Sequence, residues 1–318
     1  MHDLTIGGEL GGTKSAAILL DGAGNILNEF RCPTEAERGR EAVLENIVAA
    51  ARAVAGEDFG RVAAVGLGAP GPLNRREGLI YQAPNLGWQN VPIVRLLQEK
   101  LGRPVFLEND ANAAGFGEWA LGAGRGTKDM IYLTVSTGIG GGLILGGRIH
   151  HGRDDSAGEV GHTIVLPDGP LCGCGRRGCW EALASGTAIA RAAAEALKGG
   201  RESRIRELAG GDPAAVDAAM VARAAREGDA LAREVLDRAF YYLALGIVNL
   251  IHLLNPEAVV ICGGVSKMCD ELFIPVRRMV AEWAYAAMVR DLPIVPAALG
   301  DRAGVIGAAM VARAILRD

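Results

Sequence analysis

The sequence lacks the long apolar segments and the charge clusters that mark membrane proteins and nucleic-acid-binding proteins. Its most apolar stretch, 239–254, has about the length of a buried helix and is interrupted by Asn249 and His252, so it is too short and too polar to span a bilayer. The 33 basic and 37 acidic residues leave a formal charge of −4, and no basic block occurs. We therefore expect neither a membrane segment nor a nucleic-acid partner.

Signals for secretion are also missing, because the first residues show neither a basic region nor an apolar core. A cytoplasmic location is the resulting expectation. Cysteine is scarce, with 6 in 318 residues, yet Cys172, Cys174 and Cys179 fall within eight residues. In a cytosolic protein such clustering favours a metal site over disulfides.

What the chain does have is enough apolar material for about two domains, since half of its 318 residues are apolar. The opening predicts three strands separated by turns, over 4–9, 15–20 and 25–30. Alternating elements follow, with an open loop around Pro84: a helix over 41–55, a strand over 62–67, a helix over 93–101 and a strand over 105–107. This alternation is typical of α/β proteins.

A second series of strands and turns begins at residue 130 and resembles the opening. It comprises a strand over 130–135, a glycine-rich turn over 136–142, and strands over 143–145 and 148–150. Thr13 and Thr137 occupy matching places in the two turns, which indicates two related lobes.

The remainder predicts mainly helices: 188–197, 213–226 with Asp212 as its N-cap, and 230–254, then a strand over 258–262, a strand near Ile294 and a helix after Gly304. We place one lobe at 1–115 plus 303–318 and the other at 116–302.

Three glycine turns are candidates for binding nucleotide phosphates: Gly11, Gly12, Thr13 and Lys14; Thr137 and Gly138; Gly263 and Gly264. Glycine permits positive φ and lets the backbone approach an anion closely, so backbone N–H groups can converge on that anion. Each turn alone also fits an ordinary hairpin or strand end. The P-loop pattern is absent, because Thr13 stands where glycine would precede Lys14.

Asp110, in the segment 107–114, is the candidate general base. It ends a predicted strand and begins a helix, and a hydroxyl that attacks a phosphoryl group needs a proton acceptor within reach. The alternative is that Asp110 merely caps the helix.

His162, Cys172, Cys174 and Cys179 match a closed tetrahedral site for a structural Zn²⁺. The alternative is a group of thiols without metal. His150 and His151 are expected to face solvent, and we assign them no role.

The ordered glycine turns resemble those of the superfamily of sugar kinases, heat-shock ATPases and actin. With E-x-G-H at 159–162 and C-x-C-G-x-x-G-C-x-E at 172–181, the chain is similar to the ROK family of bacterial sugar kinases and sugar-responsive repressors. Within that family, 107–124 and 133–142 look most like the glucokinases. The resemblance implies an α/β, two-lobed actin-like ATPase or sugar kinase fold with duplicated ribonuclease H-like lobes, and ATP-dependent phosphorylation of the glucose 6-hydroxyl.

The resemblance also implies particular roles. Asp110 would be the base, Mg²⁺ would accompany ATP, and His162 would both bind zinc and turn its other ring nitrogen to the sugar. The implied sugar-binding residues are Gly71, Asn85, Asn109, Glu159, His162 and Glu181. A homo-oligomer, either a dimer or a tetramer, is implied in the same way.

Several alternatives stay open. Glu9 stands where most of the family has Asp, and some fructokinase-like members have Glu there, so fructose is a second candidate beside glucose. N-acetylmannosamine or allose is a further possibility, as is polyphosphate in place of ATP. A sensor without catalysis remains possible, and a repressor is not expected, because the first glycine turn begins within about ten residues of Met1 and leaves no room for a DNA-reading helix.

Overall fold

The computed structural model describes residues 3–317 and divides into two compact units. The first unit comprises the chain up to Tyr132, then Gly142–Gly158, and the chain from Ala297 onward. The second comprises Leu133–Gly141 and Glu159–Pro296.

The described chain forms strands and helices in alternation. The strands are β1 (Leu4–Leu10), β2 (Lys14–Leu20), β3 (Ile26–Pro33), β4 (Val62–Ala69), β5 (Leu73–Asn74), β6 (Leu79–Ala83), β7 (Trp88–Val91), β8 (Val105–Asn109), β9 (Met130–Val135), β10 (Ile139–Leu145), β11 (Arg148–Ile149), β12 (Ala258–Cys262) and β13 (Ile294–Pro296). The helices are α1 (Arg40–Ala55), α2 (Ile93–Leu101), α3 (Asp110–Leu121), α4 (Glu181–Ala184), α5 (Gly186–Lys198), α6 (Arg204–Leu208), α7 (Ala218–Arg226), α8 (Ala230–Leu254), α9 (Asp270–Trp283), α10 (Ala286–Val289) and α11 (Ala303–Arg317).

The sheet of the first unit has the order β3-β2-β1-β4-β8. Its first three strands are an antiparallel meander, as the sequence predicts, and β4 and β8 join parallel to β1. Apolar side chains along β1 and β4 are buried on both faces, as is usual for parallel strands.

Helix α11 packs closely on this sheet because glycines, which have no side chain, stand where the backbones approach each other. A Cβ on Gly7 of β1 would lie 1.9 Å from the carbonyl oxygen of Val305, and one on Gly307 would lie 1.6 Å from that of Ala113 in α3. The boundary predicted at residue 115 falls inside α3, whereas all of α3 belongs to the first unit, since it packs on α11.

The second sheet has the order β11-β10-β9-β12-β13, and β12 pairs parallel with β13. This order repeats that of the first sheet, with a run of three consecutive strands followed by two later ones. Counted from the strand ends, Thr137 corresponds to Gly12 rather than to Thr13, because three residues separate the strands in each turn.

Three expectations about local structure are wrong. Residues 140–142 belong to β10 and not to a turn, and Gly142 is needed because a Cβ there would lie 2.8 Å from the carbonyl oxygen of Ala111. The helix predicted over 213–226 is broken by the extended, buried Val216, and α7 starts after its own cap, Asp217. The segment around Pro84 is not an open loop, because Pro84 begins a 3-10 turn, Pro84–Leu86, that connects β6 to β7 in a small sheet of order β5-β6-β7.

In the second unit the long helix α8 packs against α4, α5, α7 and α9. Trp180 is fully buried on α8, where a Cβ on Gly246 would lie 2.1 Å from the indole ring. Within residues 3–317, no helix combines the length and the apolar character that crossing a membrane requires.

Candidate active site

The strand ends of the first sheet place acidic and amide side chains side by side. In the parallel register, Glu9 of β1 lies opposite Gly68 of β4, and Gly68 lies opposite Glu108 of β8. Asn109 ends β8, and Asp110 begins α3. Open α/β sheets bind ligands at the carboxyl ends of their parallel strands. The first unit therefore gathers Glu9, Asn109 and Asp110 at one edge of the sheet.

The N-terminus of α3 is capped by Asn109 and not by Asp110. Oδ1 of Asn109 accepts hydrogen bonds from the backbone N–H groups of Ala111 and Asn112, at 3.0 and 3.1 Å. Asp110 is the first helical residue, and its Oδ1 accepts from the N–H of Ala111 at 2.7 Å. The capping role that the sequence left open for Asp110 is thus taken by its neighbour.

Glu9 and Asp110 influence each other electrostatically. Burial, and next the negative charge of Asp110, raise the pKa of Glu9; Asp301 acts in the same direction, and Arg31 opposes it. The start of α11 confines the Glu9 carboxylate, because a Cβ on Gly304 would lie 2.6 Å from its Oε2. A cation near these carboxylates would relieve their repulsion.

Gly71 and Asn85, two of the predicted sugar-binding residues, also lie in the first unit. A Cβ on Gly71 would lie 3.6 Å from Nδ2 of Asn109. Asn85 is exposed in a short 3-10 turn, Pro84–Leu86, and lies beside the first glycine turn, since a Cβ on Gly12 would lie 3.0 Å from its Cβ. The structure thus brings Gly71 to Asn109, and Asn85 to the glycine turn.

The first glycine turn is held by its own backbone. The N–H of Gly11 donates to the carbonyl oxygen of Lys14 at 3.0 Å, and a Cβ on Gly11 would lie 2.6 Å from that oxygen. Neither Gly11 nor Gly12 has a positive φ. The expectation of left-handed backbone here is therefore wrong: glycine is required because a side chain would not fit. The side chains of Thr13 and Lys14 are exposed.

His151 differs from the solvent-facing residue expected from the sequence. Its Nε2 lies 2.8 Å from Oε2 of Glu108, which is only 2% exposed. His150 is exposed, as expected. The sequence could not show the contact with Glu108, because the loop after β11 folds back onto the end of β8, a strand more than forty residues earlier.

In the second unit, the second and third predicted glycine turns meet. The N–H of Ser136 donates to the carbonyl oxygen of Gly138 at 2.9 Å, and the N–H of Gly186 donates to that of Ser136 at 2.7 Å. Gly263 has a φ of 97°, a conformation that favours glycine, and a Cβ on Gly264 would lie 3.6 Å from Oγ of Ser136.

A cavity of about 590 Å³ opens beside these turns, entirely within the second unit. It is lined by Ser136, Thr137, Gly186, Thr187, Ala190, Val216, Asp217, Ala218, Ala219, Ala222, Arg226, Gly264, Val265, Lys267 and Met268. Apolar walls with a few charged groups suit a flat base carrying a polar, anionic tail. Three of these lining residues were not predicted from the sequence: Asp217, Arg226 and Lys267. An acidic N-cap signal at Asp217 was available, but the continuous helix expected over 213–226 concealed it.

The four predicted zinc ligands come together in the second unit. One ligand atom from each of His162, Cys172, Cys174 and Cys179 lies within 4.8 Å of the others. The sulfurs of Cys174 and Cys179 are 3.6 Å apart, and Sγ of Cys172 lies 3.8 Å from Nδ1 of His162. Zn–S bonds of about 2.3 Å in a tetrahedron place sulfurs about 3.8 Å apart. The donor set and its dimensions therefore fit a zinc ion.

The thiols differ in how readily they lose their protons. A hydrogen bond from the backbone N–H of Arg176 lowers the pKa of Cys174 to about 7. Burial raises the pKa of Cys179 to about 12. Burial also raises the pKa of Cys172. Because zinc binds thiolates, metal binding at this cluster would release protons and would be favoured by rising pH.

Glu159 and His162 lie on one short turn beside the zinc ligands. Nε2 of His162 lies 3.9 Å from Oε2 of Glu159, while its Nδ1 faces the thiol of Cys172. The turn packs against β10, where a Cβ on Gly161 would lie 2.1 Å from the carbonyl oxygen of Ile139. The ring of His162 thus turns one nitrogen to the thiols and the other to Glu159.

Glu181 connects the second glycine turn to the thiol cluster. Its Oε2 accepts a hydrogen bond from the N–H of Ile139 at 2.9 Å, and the thiol of Cys172 donates to its Oε1 at 3.7 Å. A Cβ on Gly138 would lie 2.2 Å from Oε2. Gly138 is therefore required next to Glu181, whose carboxylate contacts the turn that was predicted to bind phosphate.

Known proteins are similar to this chain over nearly its full length. Residues 5–315 match the model of the ROK family. This chain belongs to the ROK family. A protein named glucokinase from Thermotoga maritima is 40% identical over 96% of each chain. The ROK hexokinase of Thermus thermophilus is 40% identical with a TM-score of 0.85, covering 99% of both chains.

A ROK family glucokinase of Streptomyces griseus, solved in complex with glucose and AMPPNP, is 37% identical with a TM-score of 0.81 and covers 98% of this chain and 99% of its own. Membership confirms the fold class expected from the sequence, the two-lobed actin-like ATPase and sugar kinase fold. The identity of 37–40% over nearly full length to glucokinases makes the chain a kinase of the hexokinase type.

Proposed function

We propose that this protein transfers the γ-phosphoryl group of ATP to the 6-hydroxyl of glucose. The proposal rests on the consecutive residues Asn109 and Asp110, which lie at the carboxyl end of β8, and on the electrostatic influence of Asp110 on Glu9. The chain that carries them is 40% identical over nearly its full length to a protein named glucokinase. The relatives named in this way also make a fructokinase or an N-acetylmannosamine kinase the less favoured alternatives.

Asp110 acts as the general base. The sugar oxygen forms a bond to the γ-phosphorus, the bond from that phosphorus to the bridging oxygen breaks and ADP leaves, and the hydroxyl proton passes to the Asp110 carboxylate. Asn109 caps α3 with its carbonyl oxygen, which directs the rest of its amide toward a ligand hydroxyl. Mg²⁺, arriving with ATP, would neutralise phosphate charge near Glu9.

We assign the sugar hydroxyls to six residues: Gly71, Asn85, Asn109, Glu159, His162 and Glu181. Hexose hydroxyls both donate and accept hydrogen bonds, so carboxylates, amides and one imidazole can satisfy them, and a wrong epimer leaves these groups unpaired.

The donor is ATP rather than polyphosphate. Support comes from the cavity beside Thr137 and Gly264, whose apolar walls offer a place for a purine that polyphosphate does not have. We assign the phosphates to the glycine turns that contain Gly11, Gly12, Thr13 and Lys14, Thr137 and Gly138, and Gly263 and Gly264.

A structural Zn²⁺ organises the segment that carries Glu159 and Glu181. Four protein ligands, His162, Cys172, Cys174 and Cys179, leave no open position for a water, so the ion would supply shape and not a nucleophile. His162 links the ion to the sugar, since its second nitrogen faces Glu159.

A homo-oligomer also belongs to the proposal, with a second copy covering the apolar surface formed by Tyr241, Leu253, Trp283 and Tyr285. Leu253 and Tyr285 are 78% and 74% exposed, and the ring of Tyr241 makes an edge-to-face contact with that of Trp283. Exposed apolar surface of this kind is typical of contacts between proteins. Light scattering would detect dissociation in Tyr285→Ser and none in Leu316→Ser, an exposed leucine on α11.

The deciding experiment is an ADP-release assay with MgATP and, in turn, glucose, fructose, mannose, N-acetylmannosamine and allose. A lead of tenfold or more in kcat/KM for glucose, about 1.4 kcal/mol, would establish the assignment. A higher kcat/KM for fructose than for glucose would overturn the choice of sugar, and it would agree with the Glu that some fructokinase-like members have at the position of Glu9. Absence of turnover with every sugar and donor would favour a sensor.

A further inference from the structure

Glu108 is a buried carboxylate with donors on both of its oxygens. Oε1 accepts from the backbone N–H of Asn109 at 2.9 Å and from Nδ2 of Asn112 at 3.2 Å. Oε2 lies 2.8 Å from Nε2 of His151. A buried charge is tolerated only where such partners satisfy it, so the loss of one partner is expected to move the side chain.

The loop 150–158 that carries His151 is fixed to the first unit at a second point. Oδ2 of Asp155 accepts from the backbone N–H of Arg75 at 2.9 Å, and its Oδ1 lies 3.7 Å from Nε of Arg75. The loop is closed on itself by a hydrogen bond from the N–H of Ala157 to the carbonyl oxygen of His151, at 3.1 Å. Asp155 is nearly buried and has a φ of 55°, so this loop has a defined shape.

The positions of Glu108 and His151 in the chain give their contact its significance. Glu108 immediately precedes Asn109 and Asp110 and bonds to the backbone of Asn109. The loop that begins at His151 ends at Gly158, immediately before Glu159, the first sugar-binding residue assigned to the second unit. This part-buried contact therefore ties the segment that contains Asp110 to the segment that leads to Glu159.

We infer that Glu108 and His151 are a positioning pair for the kinase reaction, an inference that rests on the roles proposed above for Asp110 and Glu159. His151 holds the Glu108 carboxylate, which orients the N–H of Asn109 and with it the first turn of α3. The same contact fixes the start of the loop that leads to Glu159. Neither residue touches the reacting atoms.

The test compares two replacements of His151. In His151→Gln the amide nitrogen can still donate to Oε2 of Glu108, whereas in His151→Leu nothing can, and the buried oxygen is left unpaired. We expect His151→Leu to lose about tenfold or more in kcat and to raise the KM for glucose, the loss of one hydrogen bond to a buried charge. The KM for ATP should stay within about twofold of the wild-type value, because the cavity that we assign to the purine of ATP lies in the second unit.

We expect His151→Gln to retain at least about a third of the wild-type kcat. His150→Leu, at the exposed neighbouring histidine, serves as the matched control and should behave as wild type. If His151→Leu does not fold, His151→Asn takes its place, since its shorter amide cannot reach Glu108.

Equal losses in the Gln and Leu variants would overturn the inference, as would a Leu variant with wild-type kcat and glucose KM. So would a parallel rise of the KM for ATP together with a fall in Tm, since that pattern indicates general destabilisation. Calorimetric titration with glucose needs no turnover, so it reports on the pair even if Asp110 is not the base. A nearly active Asp110→Asn would refute the proposed mechanism and leave that titration valid.

Discussion

The two units carry the residues that we assign to catalysis and sugar binding on different kinds of structure. In the first unit Glu9, Gly71 and Asn109 lie at or just after the carboxyl ends of β1, β4 and β8, where regular hydrogen bonding sets their positions. In the second unit Glu159, His162 and Glu181 come from a stretch with little regular structure, gathered around three thiols and one imidazole. Backbone pairing therefore positions the assigned residues of the first unit, while contacts among thiols and an imidazole position those of the second.

Asp110→Asn should have the largest effect, a loss of about 10²–10⁴-fold in kcat, because it removes the only acceptor that we assign to the hydroxyl proton. Glucose binding should change little, since Asn109 and not Asp110 caps α3, so the helix keeps its first turn. Steady-state kinetics and calorimetry give the two values. Asp212→Asn is the control, because asparagine caps as well as aspartate; near-normal turnover in Asp110→Asn would exclude this base.

Cys174→Ser should abolish zinc binding and weaken glucose binding about 10–100-fold, because we propose that the metal holds Glu159 and Glu181 in place. The ion content is measured by elemental analysis and glucose affinity by calorimetry. Cys32→Ser, which removes a thiol from β3 in the first unit, should retain both. A metal-free Cys174→Ser protein with unchanged glucose affinity would contradict the link between metal and sugar.

Gly138→Ala should lower kcat/KM for glucose about tenfold, or 1.4 kcal/mol, because the added Cβ displaces the Glu181 carboxylate from the N–H of Ile139. Gly12→Ala should lose no more than about threefold, since its Cβ meets only the exposed Asn85 at 3.0 Å. Gly60→Ala, with open space around it, is the control. Equal losses of kcat/KM in Gly138→Ala and Gly12→Ala would contradict the prediction that, of these two positions, only Gly138 has no room for a side chain.

Glu9→Gln should produce the smallest effect, a rise in Tm of a few degrees at neutral pH. Burial and Asp110 raise the pKa of Glu9, so the unfolded chain releases this proton at lower pH than the folded protein does. The ionised carboxylate therefore destabilises the fold at neutral pH, and wild-type stability recovers as the pH falls through the folded pKa.

The Tm difference between Glu9→Gln and wild type should accordingly shrink as the pH is lowered, which calorimetric scans at several pH values would show. Glu57→Gln, at an exposed acidic residue, supplies the baseline. A Tm difference between Glu9→Gln and wild type that increases as the pH falls would contradict the expected direction of this pH dependence.

Periodicity predicted the elements that are long and regularly patterned. The opening strands, α1, α2, α8 and β12 appear where the sequence places them, because their buried faces are set by local spacing. The short strands around Pro84 were missed, since two to five residues carry too little pattern. The break at Val216 was missed because alanine-rich sequence on both sides is compatible with helix.

By itself the sequence determined which residues could be proposed for the chemistry: four candidate metal ligands, the carboxylate that we assign as the base and the glycines of the three turns, because each of these depends on residue type and spacing. Only the tertiary structure decided which glycines are needed for space and which for positive φ. It also showed that Asn109 caps α3 and that His151 reaches Glu108. Such contacts join segments far apart in the chain, and their partners are selected by packing, which local sequence does not encode.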